Sequence, residues 1–260
     1  MPMLDRQGTK LFYTEAGAGG PPLLFVHGWC GDHSHFAPQL EYFARRHRVV
    51  AVDRRGHGQS DKPVDDYTIA GFADDLAWTC RELGLHKPVV VVHSMGVIGL
   101  ELAARHPDVP GALVVLDAPA VPPAPLRQAF EQALVGLRTP AWRDVVRGFA
   151  DNVAFRPGSD AALKARLIDG MCALPQQVVV ASWASFLAHD PAPAVRACRV
   201  PLLFVHSSMP SDLDAVRALV PQVVIGQTVG AGHFCQLEAP EQVNGMIERF
   251  LADQQVRAAA

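Results

Sequence analysis

Paired cysteines, long apolar runs and clusters of one charge are all missing from this sequence. Its 260 residues include five cysteines, an odd number without a C-x-x-C pair. This argues against a disulfide scaffold and against a zinc site. No apolar run reaches the ~20 residues that span a bilayer, and the polar first ten residues do not resemble a signal peptide. We therefore expect a cytoplasmic protein with no bound metal and no membrane partner.

Charge of either sign is sparse. The chain has 23 Lys and Arg residues against 26 Asp and Glu residues, a formal net charge of -3. No run of Lys and Arg forms a basic patch, so we expect no nucleic-acid partner. Hydrophobic residues make up 49% of the chain, which supports a large buried core. The length is normal for a single α/β domain that carries an insertion.

Six short apolar runs are typical of strands buried on both faces, because their apolar residues are continuous rather than alternating. The runs are 22–26, 49–52, 89–92, 112–116, 202–205 and 223–225. Helical patterns lie between or after them, at 67–83, 97–105, 214–220 and 242–251. This alternation predicts an α/β fold with a mostly parallel central sheet and helices on both faces. Residues 10–15 could add an antiparallel edge hairpin.

One segment breaks the alternation. Between Pro119 and Pro201 there is no strand pattern, and prolines separate four helical stretches. These stretches are 126–137, 142–152, 161–174 and 177–188. We interpret residues 121–194 as a helical cap inserted into a core domain that is formed by residues 1–120 and 195–260.

Ser94 is the candidate nucleophile. The third strand runs directly into a helix through His93-Ser94-Met95-Gly96. A serine at such a strand–turn–helix junction is held in a strained turn that exposes its oxygen beside a helix N-terminus. This favours a nucleophile over a simple helix cap. Val92 stands where the usual pattern has glycine, so we expect a slightly displaced turn or more room in the neighbouring strand.

Two backbone N–H groups are candidates for binding a developing oxyanion. The Trp29 N–H follows the first buried strand, and the Met95 N–H follows the candidate nucleophile. Gly28 would let the backbone approach the site closely. We therefore predict an oxyanion hole made by Trp29 and Met95.

His233 is the candidate general base. It lies in the glycine-rich loop 230–234 after the last strand. A neutral imidazole there could take the serine proton near neutral pH and return it to the leaving group. The order, nucleophile first and histidine last, is the order expected for such a fold.

These motifs together resemble the α/β-hydrolase superfamily. The matching stretches are 27–29, 53–61, 93–96 and 232–234, in the right order over nearly the whole chain. The resemblance implies an α/β-hydrolase fold and acyl transfer through an acyl-enzyme, without a cofactor. In the family, the stretch matching 53–61 shapes the floor near the active site, which makes Asp53 and Arg54 structural. Ser94 argues against the dehalogenases and epoxide hydrolases of this fold, which use an aspartate nucleophile.

The acid of the triad departs from the family pattern. The family usually places it after the strand matching 202–205, where this sequence has Pro210. Some members carry the acid after the preceding strand, at the position of Asp117. A carboxylate there could accept the His233 ring N–H and stabilise the imidazolium. We favour Asp117. Asp212 is the alternative, although it is most simply a helix cap, and a site without a carboxylate stays open.

Aromatic residues of the cap suggest an apolar pocket. Trp183 and Phe186 lie three residues apart and could share a helix face over the site. Together with Gly28 they are the predicted substrate contacts, and Trp29 adds to the apolar pocket. Few charges face this pocket in the sequence, so we expect a small-molecule substrate that is an apolar ester or a lactone.

Two other functions stay open. A carbon–carbon bond hydrolase needs polar cap groups, and Arg138, Arg143 and Arg147 lie in or near the cap. A small-molecule receptor with weak hydrolase activity would fit the altered acid position and Val92. A homodimer is also left open, because the sequence does not determine the oligomeric state.

Overall fold

The computed structural model describes residues 2–119 and 122–259, with side chains as far as residue 254. In that part of the chain, eight strands form one sheet. They are β1 (Met3–Arg6), β2 (Thr9–Ala16), β3 (Leu23–Val26), β4 (Val49–Val52), β5 (Val89–His93), β6 (Ala112–Leu116), β7 (Leu202–His206) and β8 (Val223–Gln227). Their order is β1-β2-β4-β3-β5-β6-β7-β8. The β1–β2 and β2–β4 pairs are antiparallel and the others are parallel. The predicted mostly parallel sheet is therefore confirmed, and β1 and β2 form the edge hairpin.

The helices follow the predicted pattern, with bounds that differ by a few residues. They are α1 (Ala37–Phe43), α2 (Ile69–Glu82), α3 (Val97–Arg105), α4 (Ala124–Leu137), α5 (Trp142–Phe149), α6 (Ala161–Ala173), α7 (Gln176–Ala188), α8 (Ala192–Ala197), α9 (Leu213–Leu219), α10 (Cys235–Glu238) and α11 (Pro240–Ala259). Helices α1, α8 and α10 were not predicted, because four to seven residues show little helical period by themselves, whereas the equally short α9 was recognised by its place after a strand. The 3-10 turn His33–Phe36 and the π-helical segment Ala150–Ala154 were not predicted either.

Two buried clusters lie on opposite faces of the sheet. Leu24 and Val92 belong to one cluster, and Leu23 and Val91 belong to the other. Neighbouring residues of a strand point to opposite faces, so a continuous apolar run needs cover on both sides. Helices α2, α3 and the helices α4–α8 contribute to the first cluster, and α1 and α11 contribute to the second.

Helices α4–α8 lie between β6 and β7; α4–α7 fall within the segment that the sequence assigns to a cap, and α8 crosses its predicted end at residue 194. We call them the cap helices. The cluster on the first face continues into them, since the Trp183 ring of α7 lies 4.5 Å from the Trp29 ring. The predicted domain boundary between residues 120 and 121 lies outside the described residues, and the division into core and cap remains a prediction.

One bent pair of helices in the described part of the chain has the combined length and apolar composition of a membrane span. No single helix in residues 2–119 and 122–259 is long and apolar enough to cross a membrane. Helices α6 and α7 meet the requirement only together, and they are bent by 97° at their junction.

Candidate active site

Ser94 and Asp117 occupy strained turns at the carboxyl ends of adjacent strands. The φ angle is 63° at Ser94, after β5, and 44° at Asp117, after β6. Such left-handed conformations cost non-glycine residues on the order of 1–3 kcal/mol and concentrate at functional sites. Both N–H groups still extend the sheet, since Ser94 donates to Leu116 over 2.9 Å and Asp117 donates to Val205 over 2.7 Å. The sheet thus holds both turns in place.

The three predicted catalytic side chains form one hydrogen-bonded chain. The Ser94 hydroxyl donates to Nε2 of His233 over 2.9 Å. Nδ1 of His233 donates to Oδ2 of Asp117, also over 2.9 Å. A carboxylate only accepts, so the contact with Asp117 places the imidazole proton on Nδ1 and leaves Nε2 free to take the serine proton. Both His233 and Asp117 are buried.

Asp117 is held by the loop in which the family usually carries its acid. The N–H groups of Ser207 and Met209 donate to the Asp117 carboxylate over 2.7 and 3.1 Å. Burial alone would raise the pKa of Asp117, but the hydrogen bonds from His233 and from these N–H groups outweigh it. The pKa of Asp117 therefore lies below its usual value, and the carboxyl stays ionised. Asp212 instead caps α9, where it accepts the Ala215 N–H over 2.9 Å.

Ser207 links the acid to the histidine loop. Its N–H binds Asp117, and its hydroxyl donates to the Gly232 carbonyl over 2.7 Å, immediately before His233. Ser207 was not among the site residues predicted from the sequence. No local pattern around a serine after a strand could indicate its contacts with Asp117, 90 positions earlier, and with Gly232, 25 positions later.

His93 supports the histidine from the other side. Its Nε2 donates to the His233 carbonyl over 2.8 Å, and the two rings lie 4.6 Å apart. Burial, reinforced by the nearby His233, holds the pKa of His93 well below its usual value. His93 is therefore neutral, with its proton on Nε2, and it ties the loop of the base to the turn of the nucleophile.

Gly28 brings the turn after β3 against the nucleophile. A Cβ atom at Gly28 would lie 2.8 Å from the Cβ of Ser94, so only glycine permits this approach. The Gly28 carbonyl accepts hydrogen bonds from Nη2 of Arg54 and from Nδ1 of His27, each over 2.8 Å. Because the peptide is planar and trans, the Trp29 N–H points away from that carbonyl.

The two predicted oxyanion donors differ in whether their N–H groups already have a hydrogen-bond partner. The Trp29 N–H has no hydrogen-bond partner among residues 2–119 and 122–259. The Met95 N–H lies 2.6 Å from the His93 carbonyl, across the three-residue turn at Ser94. Trp29 is thus the donor that is free in this conformation.

Val92 finds its space in α3. A Cβ atom at Gly99 would lie 2.9 Å from Cγ2 of Val92, so the missing side chain of Gly99 makes room for the valine. The room expected in the neighbouring strand stays a prediction. In β6, Val115 packs against Gly96, where a Cβ atom would lie 2.5 Å from Cγ1 of Val115.

Two cavities meet at Ser94. The first, which we call the aliphatic tunnel, has a volume of about 110 Å³. Its wall includes Ser94, Val97, Leu100, Phe204, Val216 and Leu219. The second, which we call the aromatic slot, is lined by Trp29, Ser94, Met95, Phe149, Trp183 and Met209. Pro119, Phe130 and Phe186 border both cavities.

A surface groove lies outside the slot. It has a volume of about 300 Å³, runs between α4 and α5, and shares Trp29, Phe130, Phe149 and Trp183 with the slot. Of the predicted substrate contacts, Trp183 and Phe186 therefore line the cavities at Ser94. Gly28 does not line them and instead packs behind the nucleophile.

Two basic side chains that the sequence did not single out line the tunnel. Arg127 lies 3.5 Å from Glu131 on the exposed face of α4, and His189 lies 3.5 Å from Glu101. Arg127 thus forms an exposed ion pair, whereas Nε2 of His189 makes no hydrogen bond within the described part of the chain.

The arginines considered for a carbon–carbon bond hydrolase are placed elsewhere. Arg143 donates to the Cys172 carbonyl over 3.2 Å, and Arg147 lies 3.5 Å from Asp144. Neither they nor Arg138 line the tunnel or the slot.

One group of potential metal ligands exists in the described part of the chain. Ligand atoms of Asp32, His33 and Asp53 lie within 4.8 Å of one another. Asp53 already accepts hydrogen bonds from the His33 ring and from the N–H groups of His33 and Gln59. Asp32 caps the 3-10 turn through the Ser34 N–H. These contacts account for the group as the support of two turns.

Comparison with known proteins gives one family and several relatives. The family profile of the alpha/beta hydrolase fold matches residues 21–157. The 2-(acetamidomethylene)succinate hydrolase of Mesorhizobium japonicum is 29% identical over 89% of this chain and 88% of that protein. The enol-lactonase from Burkholderia xenovorans LB400 superposes with a TM-score of 0.85 at 21% identity, over 96% of this chain and 100% of that one. A thermophilic esterase from Thermogutta terrifontis gives 0.84 at 24% identity, over 96% of both chains. The two structural similarities concern the fold alone.

Proposed function

The chain belongs to the alpha/beta hydrolase family, and on that premise we propose that it hydrolyses a carboxylic ester or a lactone with Ser94, His233 and Asp117 as its catalytic triad. The observation that carries the proposal is the unbroken hydrogen-bonded chain from the Ser94 hydroxyl through His233 to the buried Asp117. Such a chain activates a serine for attack on an acyl carbon.

In the first half of the reaction, Ser94 Oγ bonds to the carbonyl carbon while Nε2 of His233 takes the hydroxyl proton. The carbonyl oxygen becomes an oxyanion, which the free N–H group of Trp29 would stabilise, together with the Met95 N–H once it leaves the His93 carbonyl. The carbon–oxygen bond to the alcohol then breaks, and His233 gives its proton to the leaving oxygen. An acyl-Ser94 enzyme remains, and Asp117 stabilises the imidazolium throughout without becoming protonated.

In the second half, His233 takes a proton from water, and the resulting hydroxide oxygen attacks the acyl carbon. The second oxyanion collapses, Ser94 recovers the proton from His233, and the carboxylic acid leaves. No cofactor is needed for either half, because every proton and electron pair moves among Ser94, His233, water and the substrate.

The two alternatives lose support from the site. None of the three arginines considered for a carbon–carbon bond hydrolase lines the tunnel or the slot, and the cap arginine that does line the tunnel, Arg127, lies 3.5 Å from Glu131 on the exposed face of α4. A receptor that rarely turns over its ligand does not need the Ser94–His233–Asp117 contacts at 2.9 Å each. The geometry therefore favours a working serine hydrolase.

A fluorophosphonate probe tests the proposal, because it reacts with serines that a neighbouring base activates. We expect covalent labelling at Ser94, identified by peptide mass spectrometry, and no labelling of Ser94→Ala. A panel of chromogenic esters and aliphatic lactones should be hydrolysed by the wild type and not by Ser94→Ala. A folded wild type that resists the probe and hydrolyses neither panel would refute the proposal.

A further inference from the structure

We propose that the aliphatic tunnel binds the acyl part of the substrate and that the aromatic slot with its outer groove binds the alcohol part. The preferred substrate is then an ester between an unbranched, medium-chain aliphatic acid and an alcohol that carries a flat ring. This inference rests on the proposed function, because it assigns the two sides of the bond that Ser94 attacks.

The position of His233 assigns the alcohol side. His233 must give its proton to the leaving oxygen, so that oxygen has to come within about 3 Å of Nε2. On the side of the cap helices, the groups next to His233 come from α5 and the segment after it. The Phe149 ring lies 6.1 Å from the His233 ring, edge to face, and the His233 N–H donates to the Ala154 carbonyl over 2.7 Å.

Phe149 lines both the aromatic slot and the groove, and it does not line the tunnel. The leaving alcohol therefore points from Ser94 into the slot. Since the acyl part lies on the other side of the reacting carbon, it extends into the tunnel.

The strands next to the tunnel set its length. Strand β6 gives the scale. At one end, Ser94 donates its N–H to the carbonyl of Leu116 in β6. At the other end, the tunnel wall reaches Leu202 of β7, which pairs with Leu113, three residues before Leu116. Three residues of a parallel strand span roughly 10 Å. An extended alkyl chain advances a little less than one bond of about 1.5 Å per carbon, so the tunnel accommodates roughly eight carbons.

The tunnel wall suits a neutral chain. Apart from Ser94, its polar members are Arg127, which lies 3.5 Å from Glu131, and His189, whose Nε2 lies 3.5 Å from Glu101 without a hydrogen bond. Val97, Leu100 and Phe204 supply the apolar surface that an alkyl chain buries, with a gain of roughly 0.8 kcal/mol for each CH₂.

The slot, at about 20 Å³, is a narrow aromatic passage, and the ring of the alcohol lies beyond it in the groove of about 300 Å³. The Trp29 ring lies 4.5 Å from Trp183 and 5.9 Å from Phe149, and the contact with Phe149 is edge to face. Aromatic surfaces in these orientations favour a further flat ring over a flexible chain. The groove continues the slot to solvent between α4 and α5, so a bulky alcohol has space beyond it.

Two matched variants test the assignment. Leu219 lines the tunnel at its partly exposed end, and Ala129 lines the groove on the exposed face of α4. Leu219→Trp and Ala129→Trp each place the same indole at a partly or fully exposed position, so both variants should fold. Circular dichroism and fluorophosphonate labelling of Ser94 check this for each protein.

Two substrate series supply the readout. The first varies the acyl chain from acetate to dodecanoate with one alcohol, and the second varies the alcohol of acetate esters from ethyl to benzyl to naphthylmethyl. For the wild type, kcat/KM should rise to octanoate and fall by dodecanoate. Leu219→Trp should lower the octanoate-to-acetate ratio of kcat/KM about tenfold or more. Ala129→Trp should lower the naphthylmethyl-to-ethyl ratio by a similar factor.

Crossed effects, with Leu219→Trp altering alcohol preference and Ala129→Trp altering acyl preference, would overturn the assignment. So would a wild type that shows no preference in either series while it hydrolyses esters through Ser94. In both cases the proposed function survives. If no ester is hydrolysed and Ser94 is not labelled, the proposed function fails, and the subsites fail with it.

Discussion

Arg54 donates from Nη2 to the carbonyl oxygen of Gly28 over 2.8 Å, although only 3% of Arg54 is exposed. Its Nε and Nη1 atoms have no hydrogen-bond partner in the part of the chain that the structure describes. Burial lowers the pKa of Arg54 to about 9. A buried cation without a carboxylate partner destabilises a fold. Its contact with Gly28, however, fixes the peptide that aims the Trp29 N–H.

Replacement of Arg54 by methionine should therefore lower activity without lowering the stability of the fold. Arg54→Met keeps the side-chain volume and loses the contact with Gly28. We expect kcat on a chromogenic ester to fall by roughly 10- to 100-fold with little change in KM, because an oxyanion donor acts in the transition state. The free energy of unfolding in urea should stay equal or increase. A parallel loss of stability and activity would mean that Arg54 serves only the fold.

Asp117→Asn should lower kcat by about three to four orders of magnitude, because an amide in place of the carboxylate favours the wrong His233 tautomer. The control is Asp212→Asn, in which asparagine still caps α9 and turnover should stay near that of the wild type. Steady-state kinetics on one ester compares the two variants. If Asp212→Asn were the impaired one, the acid would be Asp212.

The contact between Val92 and Gly99 predicts that Gly99→Ala lowers the stability of the protein, against the usual trend for a glycine in a helix. Alanine normally stabilises a helix relative to glycine by up to about 1 kcal/mol. At Gly99, however, the new Cβ would lie 2.9 Å from Val92, and we expect a net loss of about 1–3 kcal/mol. Gly170→Ala in α6, which has no neighbour within 4 Å of its Cβ position, should be stabilising.

A double-mutant cycle isolates that contact. Val92→Ala removes the methyl groups that meet the new side chain, so Gly99→Ala should cost less in the Val92→Ala background by roughly 1 kcal/mol. The measurement is urea unfolding of the four proteins. An additive pair would show that the contact does not restrict Gly99.

Buried neutral histidines predict a loss of stability in mild acid. Burial lowers the pKa of His35 from 6.5 to about 4 and holds the pKa values of His27, His57 and His93 well below 6.5. As the pH falls below about 6.5, the unfolded chain binds protons that the folded chain does not, so the free energy of unfolding decreases. For His35 the loss extends down to about pH 4 and amounts to about 3 kcal/mol.

Urea unfolding between pH 7.5 and about pH 4 measures this loss. The unfolding free energy, plotted against pH, should have a slope that is lower by about 1.4 kcal/mol per pH unit in His35→Gln than in the wild type. This difference corresponds to one proton. The control is His86→Gln, at an exposed histidine, which should leave the slope unchanged. Equal slopes for the wild type and His35→Gln would contradict a neutral buried His35.

Most of the fold could be predicted because its signals are local. Continuous apolar runs marked the strands of the parallel sheet, and helical spacing marked α2, α3 and most cap helices within a few residues. Short elements such as α1 and α8 gave little periodic signal, since a helix of six or seven residues has fewer than two turns, and α9 of similar length was recognised by its place after a strand. The strand–turn–helix junction at Ser94 could be located for the same reason, because strand, serine and helix are consecutive in the chain.

What the sequence by itself determined is the order of strands, turns and helices, and with it Ser94 and His233 as the groups with the right chemistry at the right sheet edge. Tertiary structure decided the contacts between them. The carboxylate beside His233 comes from a residue 116 positions away, and a loop with no acid of its own holds it. Gly99 accommodates Val92, and Arg54 orients the Trp29 peptide. These contacts depend on strand register and on strained turns, which bring together side chains whose proximity no local pattern encodes.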